Sequence, residues 1–466
     1  MTILQDKKKW YHYIPHPVVM LFGILVLAAI LTHILPAGLY EREVFGERTR
    51  VIPGSYHTVT STPVGFFGLF KAFPAGFKTA SAIIFVVLSS GIMFGILEKT
   101  GTIENMVGTA IKKLGLKRRY LLVFLLTYLF GLLGVLIGYE NNIAMVPIAA
   151  VVALALGGDL ILAAGLSVGA ITVGFGLSPV NPYTVGIGHQ IAELPLFSGA
   201  LLRSALCFLA LTLMAWYNVR YFRKLIAEPE SGLGEGLDVA GLKLSKRLED
   251  YSISRNNALV GIIFLAGIGI MLYGIFVYQW YFTEISAIFL IIAIAAGVAN
   301  RMSGQEFSET TLRSIAVVAP GAFMVGYATT IKEVLELGQI NDTISYQLSL
   351  LLTDLPTTVS AWGMSICQSI INLLIPSGSG QALATLPIMV PLGEVLGLTR
   401  QTTILAFQIG DGVTNLFNPA LGGLIAMLSL CRVPFDRWLR FILPLTGMLL
   451  ILSWLFLVGA VWLGYK

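Results

Sequence analysis

Charge is what this sequence has least of. Of its 466 residues only 12% are Asp, Glu, Lys or Arg, against roughly 25% in an ordinary soluble domain, while 56% are hydrophobic. A chain so poor in charge has too little polar surface to form a large soluble domain. Cysteine is scarce as well. Cys207, Cys367 and Cys431 stand far apart in apolar runs, which excludes a disulfide framework or a metal-ligand cluster and predicts small buried hydrophobes. The chain has no HExxH, no P-loop and no GxGxxG in a suitable soluble setting, so zinc proteolysis and ATP-driven transport have no support. Of the histidines at 12, 16, 33, 57 and 189, only His189 lies near a polar break in an apolar run. Gly378-Ser379-Gly380 therefore lacks the positioned base that serine catalysis needs. Gly410-Asp411-Gly412 holds one acid where aspartyl catalysis needs two. An intramembrane protease is thus a weak alternative; a channel is a second one, which composition does not separate from a carrier.

What the chain has is length without charge. Pro17–Leu35, Leu201–Val219, Ala258–Tyr278 and Ile442–Leu463 each hold about 18 or more nearly uncharged residues, the length a helix needs to cross hydrocarbon. The first is preceded by Lys7, Lys8 and Lys9 and lacks a small-residue cleavage site, so it reads as an uncleaved first span. The net charge of +5 falls beside span ends rather than on a nucleic-acid surface. With the N-terminus in the cytoplasm, Lys112 to Arg119, Arg220 to Arg255 and Arg432 to Arg440 all fall inside, satisfying the positive-inside bias. The one long polar stretch, 227–256, reads as a cytoplasmic linker between an N-terminal half, 1–226, and a C-terminal half, 257–466.

The halves match each other. Glu98-Lys-Thr-Gly101-Thr-Ile103 recurs as Leu335-Glu-Leu-Gly338-Gln-Ile340, an offset of 338 − 101 = 237. Pro147 pairs with Pro387, Gly157 with Gly397 and Ser178-Pro179 with Asn418-Pro419 at an offset of 240 (387 − 147), so one three-residue gap reconciles the copies. A constant offset through Pro, Gly and a residue-Pro break is the mark of a transporter built from internal repeats. Crossing parity adds orientation. Two additional apolar runs, Ala258–Tyr278 and Phe282–Ala299, place the opening span of the second copy on the opposite side from the first, so the repeats are expected to be inverted. Within each copy, Tyr120–Ile137 with Ile143–Leu156, and Trp362–Ile375 with Ala382–Leu396, are read as either two spans or a re-entrant hairpin.

Four places break the apolar pattern: Gly138–Asn142, Ser178–Pro182, Pro376–Gln381 and Gly410–Pro419. Irregular backbone at membrane depth is tolerated only where protein or a water-filled cavity satisfies it, and these breaks come in two matched pairs, so they are the candidate binding site. Each combines helix-interrupting Gly or Pro with Ser, Thr or Asn. Glu140 and Asp411 stand apart because their partners by offset are Gly380 and Ile171; acids outside the symmetric framework point to a cationic solute group, a cation or a proton. Asn141, Asn142, Ser178, Asn181, Thr184, Ser377, Ser379, Gln381, Thr414, Asn415 and Asn418 supply neutral donors and acceptors, with Gly378 and Gly380 opening backbone at the second apex. Half-helix N-termini after the apices can hold a carboxylate without an arginine. His189 is a second-rank proton relay, set against a hydrogen-bonded helix-end histidine. No metal centre or cofactor is expected; H+ or Na+ is the candidate coupling ion, with Na+ at the hairpin apices.

Five segments carry a family resemblance: Glu98-Lys-Thr-Gly-Thr-Ile-Glu, Asn181-Pro-Tyr-Thr-Val-Gly186, Pro195-Leu-Phe-Ser-Gly199, Ser377-Gly-Ser-Gly-Gln381 and Phe407-Gln-Ile-Gly-Asp-Gly412. They resemble the YfcC branch of the DcuC-like carriers, within the ion transporter superfamily. The resemblance implies an all-α polytopic membrane fold of two inverted-topology repeats with roughly nine full spans. Each repeat would hold a re-entrant hairpin (about 120–157 and 358–396) and a broken transmembrane helix (about 160–190 and 400–430). It further implies elevator-type alternating access, a dimerising scaffold and an inner-membrane location, with relatives that carry four-carbon dicarboxylates or basic amino acids. Members often have a second acid beside Glu140, where this chain has Asn141. Acids and amides without lysine or arginine in the breaks lean the expectation toward an amino acid, a basic one included, by antiport or ion-coupled transport, with a four-carbon dicarboxylate as the alternative.

Overall fold

Backbone polar groups cannot go unsatisfied in hydrocarbon, so an apolar chain folds into helices that close their own hydrogen bonds. The computed structural model describes residues 17–45, 48–52, 54–242, 244–246, 248–278, 280, 282–352 and 355–466. Lys7 to Lys9, on which a cytoplasmic N-terminus rests, lie outside them. After α1 (Pro17–Ile34) come four short strands: β1 (Gly38–Leu39), β2 (Arg42–Phe45), β3 (Arg48–Val51) and β4 (His57–Thr58). β1 pairs antiparallel with β4, and β2 with β3, Arg42 standing opposite Val51. The first half continues through α2 (Phe66–Thr79), α3 (Ser81–Lys99), α4 (Thr102–Leu114), α5 (Arg119–Ile137), α6 (Val146–Ala155), α7 (Leu160–Ala164), α8 (Ala170–Gly176), α9 (Ile187–Ile191) and α10 (Ala200–Ala227). Two helices without counterparts follow, α11 (Arg255–Tyr278) and α12 (Phe282–Ala299). The second half holds α13 (Gly304–Leu337), α14 (Asn341–Leu350), α15 (Thr357–Leu374), α16 (Gly378–Val395), α17 (Arg400–Thr414), α18 (Gly422–Leu430) and α19 (Phe435–Trp462).

Among the described residues, α3, α5, α10, α11, α12, α13 and α19, seven in all, are long and apolar enough to cross a bilayer. Among the described residues the apolar helices Leu21–Ile34, Asn142–Ala155 and Leu160–Gly176 fall short of span length, the last two within the hairpin and broken helix expected there. Cys207, Cys367 and Cys431 are free and buried, as their apolar surroundings predict.

The succession α3 to α10 recurs as α13 to α19. α5 and α15 begin 357 − 119 = 238 residues apart, and α7 and α17 begin 400 − 160 = 240 apart. Local geometry repeats with the order. Gly157 (φ 91°) and Gly397 (φ 79°) both turn the chain through backbone angles closed to most other residues. Two residues on in each copy a side chain caps the next helix: Asp159 Oδ1 accepts the Leu162 N–H at 2.8 Å, and Thr399 Oγ1 the Thr402 N–H at 3.1 Å. α5 packs on α8 as α15 packs on α17.

The polar linker is docked at both ends. Arg437 and Arg432 donate to the Leu233 and Ala240 carbonyls at 2.8 and 2.6 Å, near the start of α19. Farther on, Ser245 and Tyr251 donate to the Glu104 carboxylate on α4. Partial burial pushes the Glu104 carboxyl up, but these hydrogen bonds outweigh it and hold the group below the usual carboxylate range.

Candidate functional site

The site is built where the breaks meet. Gly176, at the end of α8, lies against Gly412 of α17 so closely that a side-chain carbon on either would stand within 2.6 Å of the other's backbone. This crossing sets the two broken helices side by side. The turn between α15 and α16 closes over them. Ser377 Oγ accepts the Gly380 N–H at 3.3 Å, capping the first turn of α16. A side-chain carbon at Gly378 would lie 2.6 Å from Thr184 Cγ2 and 3.3 and 3.6 Å from the Asp411 carboxylate oxygens. Only a glycine lets this turn approach the acid so closely. The turn after the first break (Thr184), the last turns of α17 before the second (Asp411) and the second hairpin turn (Gly378) thus converge on one place.

A cavity of about 230 Å3 opens beside that place. Gly138 and Tyr139 from the first hairpin turn, Ser377, Gly378 and Ser379 from the second, Tyr183 and Asn415 from the breaks, and Lys332 from α13 all line it. It lies below the roughly 300–1,000 Å3 of drug-sized pockets and suits a small solute.

Behind Gly378 lies a buried polar cluster. The Asn372 amide donates to Asp411 Oδ1 at 2.7 Å, to the Asp411 carbonyl at 3.0 Å and to Asn415 Oδ1 at 3.1 Å. Asn418 donates to the Asn372 carbonyl at 2.8 Å and to its side-chain oxygen at 2.9 Å. Asp411, Asn372 and Asn418 are fully buried. The hydrogen bonds hold the carboxylate in a defined orientation one residue's thickness from the cavity. Thr414 is buried on the same helix, and the Thr184 hydroxyl is buried with no hydrogen-bond partner among the described residues.

Other expected site residues are committed to the fold. Asn142 donates to the Gly138 carbonyl at 2.6 Å and the Leu133 carbonyl at 3.3 Å, closing the end of α5 instead of facing the cavity. Asn181 donates to the Phe175 carbonyl and accepts from the Tyr183 N–H, bridging the first break. Ser178 donates to the Val135 carbonyl. Gln381 donates to both Gln368 oxygens. His189 accepts the Phe197 N–H at 2.9 Å, the helix-end role set against the relay. The bonds of Asn142, Asn181 and Ser178 satisfy backbone groups at the breaks, which hydrocarbon would leave without partners. The side chains of Glu140 and Asn141 lie outside the described ones; their backbone forms the tight helical turn Glu140–Met145 that begins the second arm of the first hairpin.

Two groups escaped sequence reasoning. Asn372 lies in a run read as apolar, although Ser365, Gln368, Ser369 and Asn372 recur at i, i+3, i+4 and i+7, the signal of a polar stripe on one helix face. Lys332 belongs to α13, far in sequence from any break. The breaks hold no lysine or arginine, but folding brings a lysine to the cavity they line.

Apolar helices long enough to span, two helix breaks crossing at glycines and a small polar cavity define a multi-pass membrane carrier. Residues 14–462 match the family model described as DcuC, C4-dicarboxylate anaerobic carrier, and the chain belongs to that family. It is 29% identical, over all of its length and 99% of the relative's, to the Escherichia coli protein named "Putative basic amino acid antiporter YfcC". It is 26% identical to an uncharacterized Haemophilus influenzae protein, with 97% of each chain covered. Among solved structures, Neisseria gonorrhoeae MtrF, titled as illuminating a class of antimetabolite efflux pumps, is similar over 96% of this chain and 95% of its own, at 19% identity and a TM-score of 0.42. The Alcanivorax borkumensis YdaH transporter covers 97% and 99%, at 18% identity and 0.45. The protein is a secondary transporter of the DcuC family and not an enzyme.

Proposed function

We propose that this transporter carries an amino acid, a basic one in the narrower reading, by antiport or by coupling to H+ or Na+. The carrying observation is the cavity of about 230 Å3 lined by both hairpin turns, with a lysine among its lining residues and a buried aspartate behind Gly378. Charges of both signs around one small space suit a zwitterionic solute better than a dicarboxylate, which would meet an acid it has no group to pair with. The E. coli relative's description as a basic amino acid antiporter agrees.

Movement follows from the same arrangement. Asp411 is covered by Gly378, so the α15–α16 turn would shift for the solute or a coupling ion to reach it. In this reading the inverted halves carry the hairpins and broken helices as one elevator-like body against α3, α12 and α13, in a homodimer of the inner membrane with the N-terminus in the cytoplasm. Glu140 would meet the cationic part of the solute or the coupling ion.

Uptake into proteoliposomes against a panel of amino acids and dicarboxylates, with imposed proton or sodium gradients, tests this. Saturable amino-acid exchange is expected; saturable succinate or fumarate uptake with no amino-acid response would sink the substrate. Replacing Glu140 by Gln should abolish binding or coupling, and full activity would remove it from the site.

A further inference from the structure

Among the described residues that line the central cavity, Lys332 is the charged one. It also lines a neighbouring cavity of about 240 Å3 that shares Ile375 and Ser377 with the first and reaches out to Arg42 and Asp342. At that mouth Arg42 and Asp342 are closed on each other, the guanidinium reaching both carboxylate oxygens at 2.8 and 2.9 Å. Lys332 is held less firmly. Its neighbour Glu336, one turn on, stands at 3.4 Å, and the lysine side chain keeps 38% of its exposure. A pair of that length and exposure is weak, and a four-carbon stem lets the ammonium turn to a better acceptor.

The same cavity is lined by the second hairpin turn, where Asp411 lies behind Gly378, and by Asn415 of the second break. A solute with charges at both ends would therefore find its two counter-charges on different elements, the cation on α13 and the acid on α17. We propose that the Lys332 ammonium receives the carboxylate of the transported solute and is a specificity-determining residue of this carrier. The assignment rests on the amino-acid reading for its substrate class, but not for its chemistry, since any carboxylate would serve. It gives α13 a share in recognition, so that full recognition needs α13 and the hairpin turn at the same level.

The test uses the full chain in proteoliposomes, with arginine exchange as the assay and agmatine, which keeps the guanidinium and lacks the carboxylate, as competitor. Loss of one charge-assisted hydrogen bond lowers affinity by about tenfold to a hundredfold. Lys332→Gln should therefore weaken arginine by at least about tenfold and leave agmatine unchanged, while Lys332→Arg retains the preference for arginine. A surface lysine with a purely structural role would leave the arginine-to-agmatine ratio unmoved, and an unmoved ratio, or equal losses for both compounds, overturns the proposal. The Arg variant keeps the cation, so its behaviour separates loss of charge from loss of fold. If the wild type exchanges no amino acid and takes up succinate, the substrate reading fails by itself. The succinate KM of Lys332→Gln then decides the lysine's role: a rise of about tenfold supports it, and an unchanged KM refutes it.

Discussion

At equivalent positions the first half presents Val135, Ile171 and Phe175 where the second presents Asn372, Asp411 and Asn415, at offsets of 372 − 135 = 237, 411 − 171 = 240 and 415 − 175 = 240. Around these triplets the framework is alike. Ser178 Oγ donates to the Val135 carbonyl at 3.3 Å, and Asn418 Nδ2 to the Asn372 carbonyl at 2.8 Å. Each of these two residues also accepts the N–H two positions on, Val180 for Ser178 and Ala420 for Asn418. Both copies need those bonds, because a helix broken in a bilayer must satisfy its loose ends wherever the break lies. Only the second copy adds a carboxylate and two amides, at a depth where burial of such groups is costly unless they serve binding. The bonds that close the breaks are common to both halves, and the three positions at which they differ supply the polar cluster. Backbone regularity diverges too: a π-helical turn, Gly165–Gly169, joins α7 to α8, whereas α17 runs unbroken from Arg400 to Thr414.

The largest effect should come from imposing the first half's residue on the second. Asp411→Ile should abolish transport, and the near-isosteric Asp411→Asn should lower it at least about tenfold, in line with losing a hydrogen-bonded charge. Normal transport by Asp411→Asn would make the cluster structural and remove the functional meaning of the asymmetry. Next comes the crossing that both halves share. A methyl group at Gly412 would meet the Gly176 backbone, so Gly412→Ala should cost about 1–3 kcal/mol, read as a lower Tm of the purified protein. Gly447, with open space around its position, serves as the control and should show no loss.

A smaller effect is expected at the second hairpin. Ser377→Ala removes the cap of α16 and should cost about 1 kcal/mol, seen as faster amide exchange at 378–381. Ser178→Ala, which leaves the Gln408 amide still donating to the Ser178 carbonyl, should cost less. The smallest lies in the linker, outside the repeats. Hydrogen bonding holds the Glu104 carboxyl below its ordinary range, so its contribution is present above the unfolded carboxylate pKa and lost as pH falls through the folded one. Limited trypsin digestion at Lys246 should accelerate as pH drops from neutral toward that range, and Glu104→Gln should show the faster cleavage already at neutral pH.

Much of the fold was legible because bilayer physics constrains sequence strongly. Apolar length marked α11 and α12 almost to their ends and the apolar middles of α10 and α19, which run on past Val219 and begin before Ile442 with charged turns, and Gly157 with Gly397 kept their offset because both take backbone angles that other residues avoid. The breaks were legible in part for the same reason, as Gly and Pro weaken a helix, but α17 runs through Gly410 and Gly412 and ends only at Thr414, so the fourth break begins later than the glycines suggest. The division of labour within the breaks was not. Asn142, Asn181 and Asp411 look alike as polar residues in apolar runs. Nothing in their spacing tells which amide turns back to its own helix and which acid faces a hairpin turn from another element.

Composition, offsets and helix-breaking residues by themselves determined a duplicated membrane carrier with matched breaks, because each rests on local backbone chemistry or on charge counted along the chain. Tertiary structure alone decided which residues share the site. Gly378 touches Asp411 from 33 positions away (411 − 378), Asn372 ties Asp411 to Asn415, and Lys332 reaches the cavity from α13. Such meetings depend on how helices cross, which close-packed surfaces settle together and no single segment encodes.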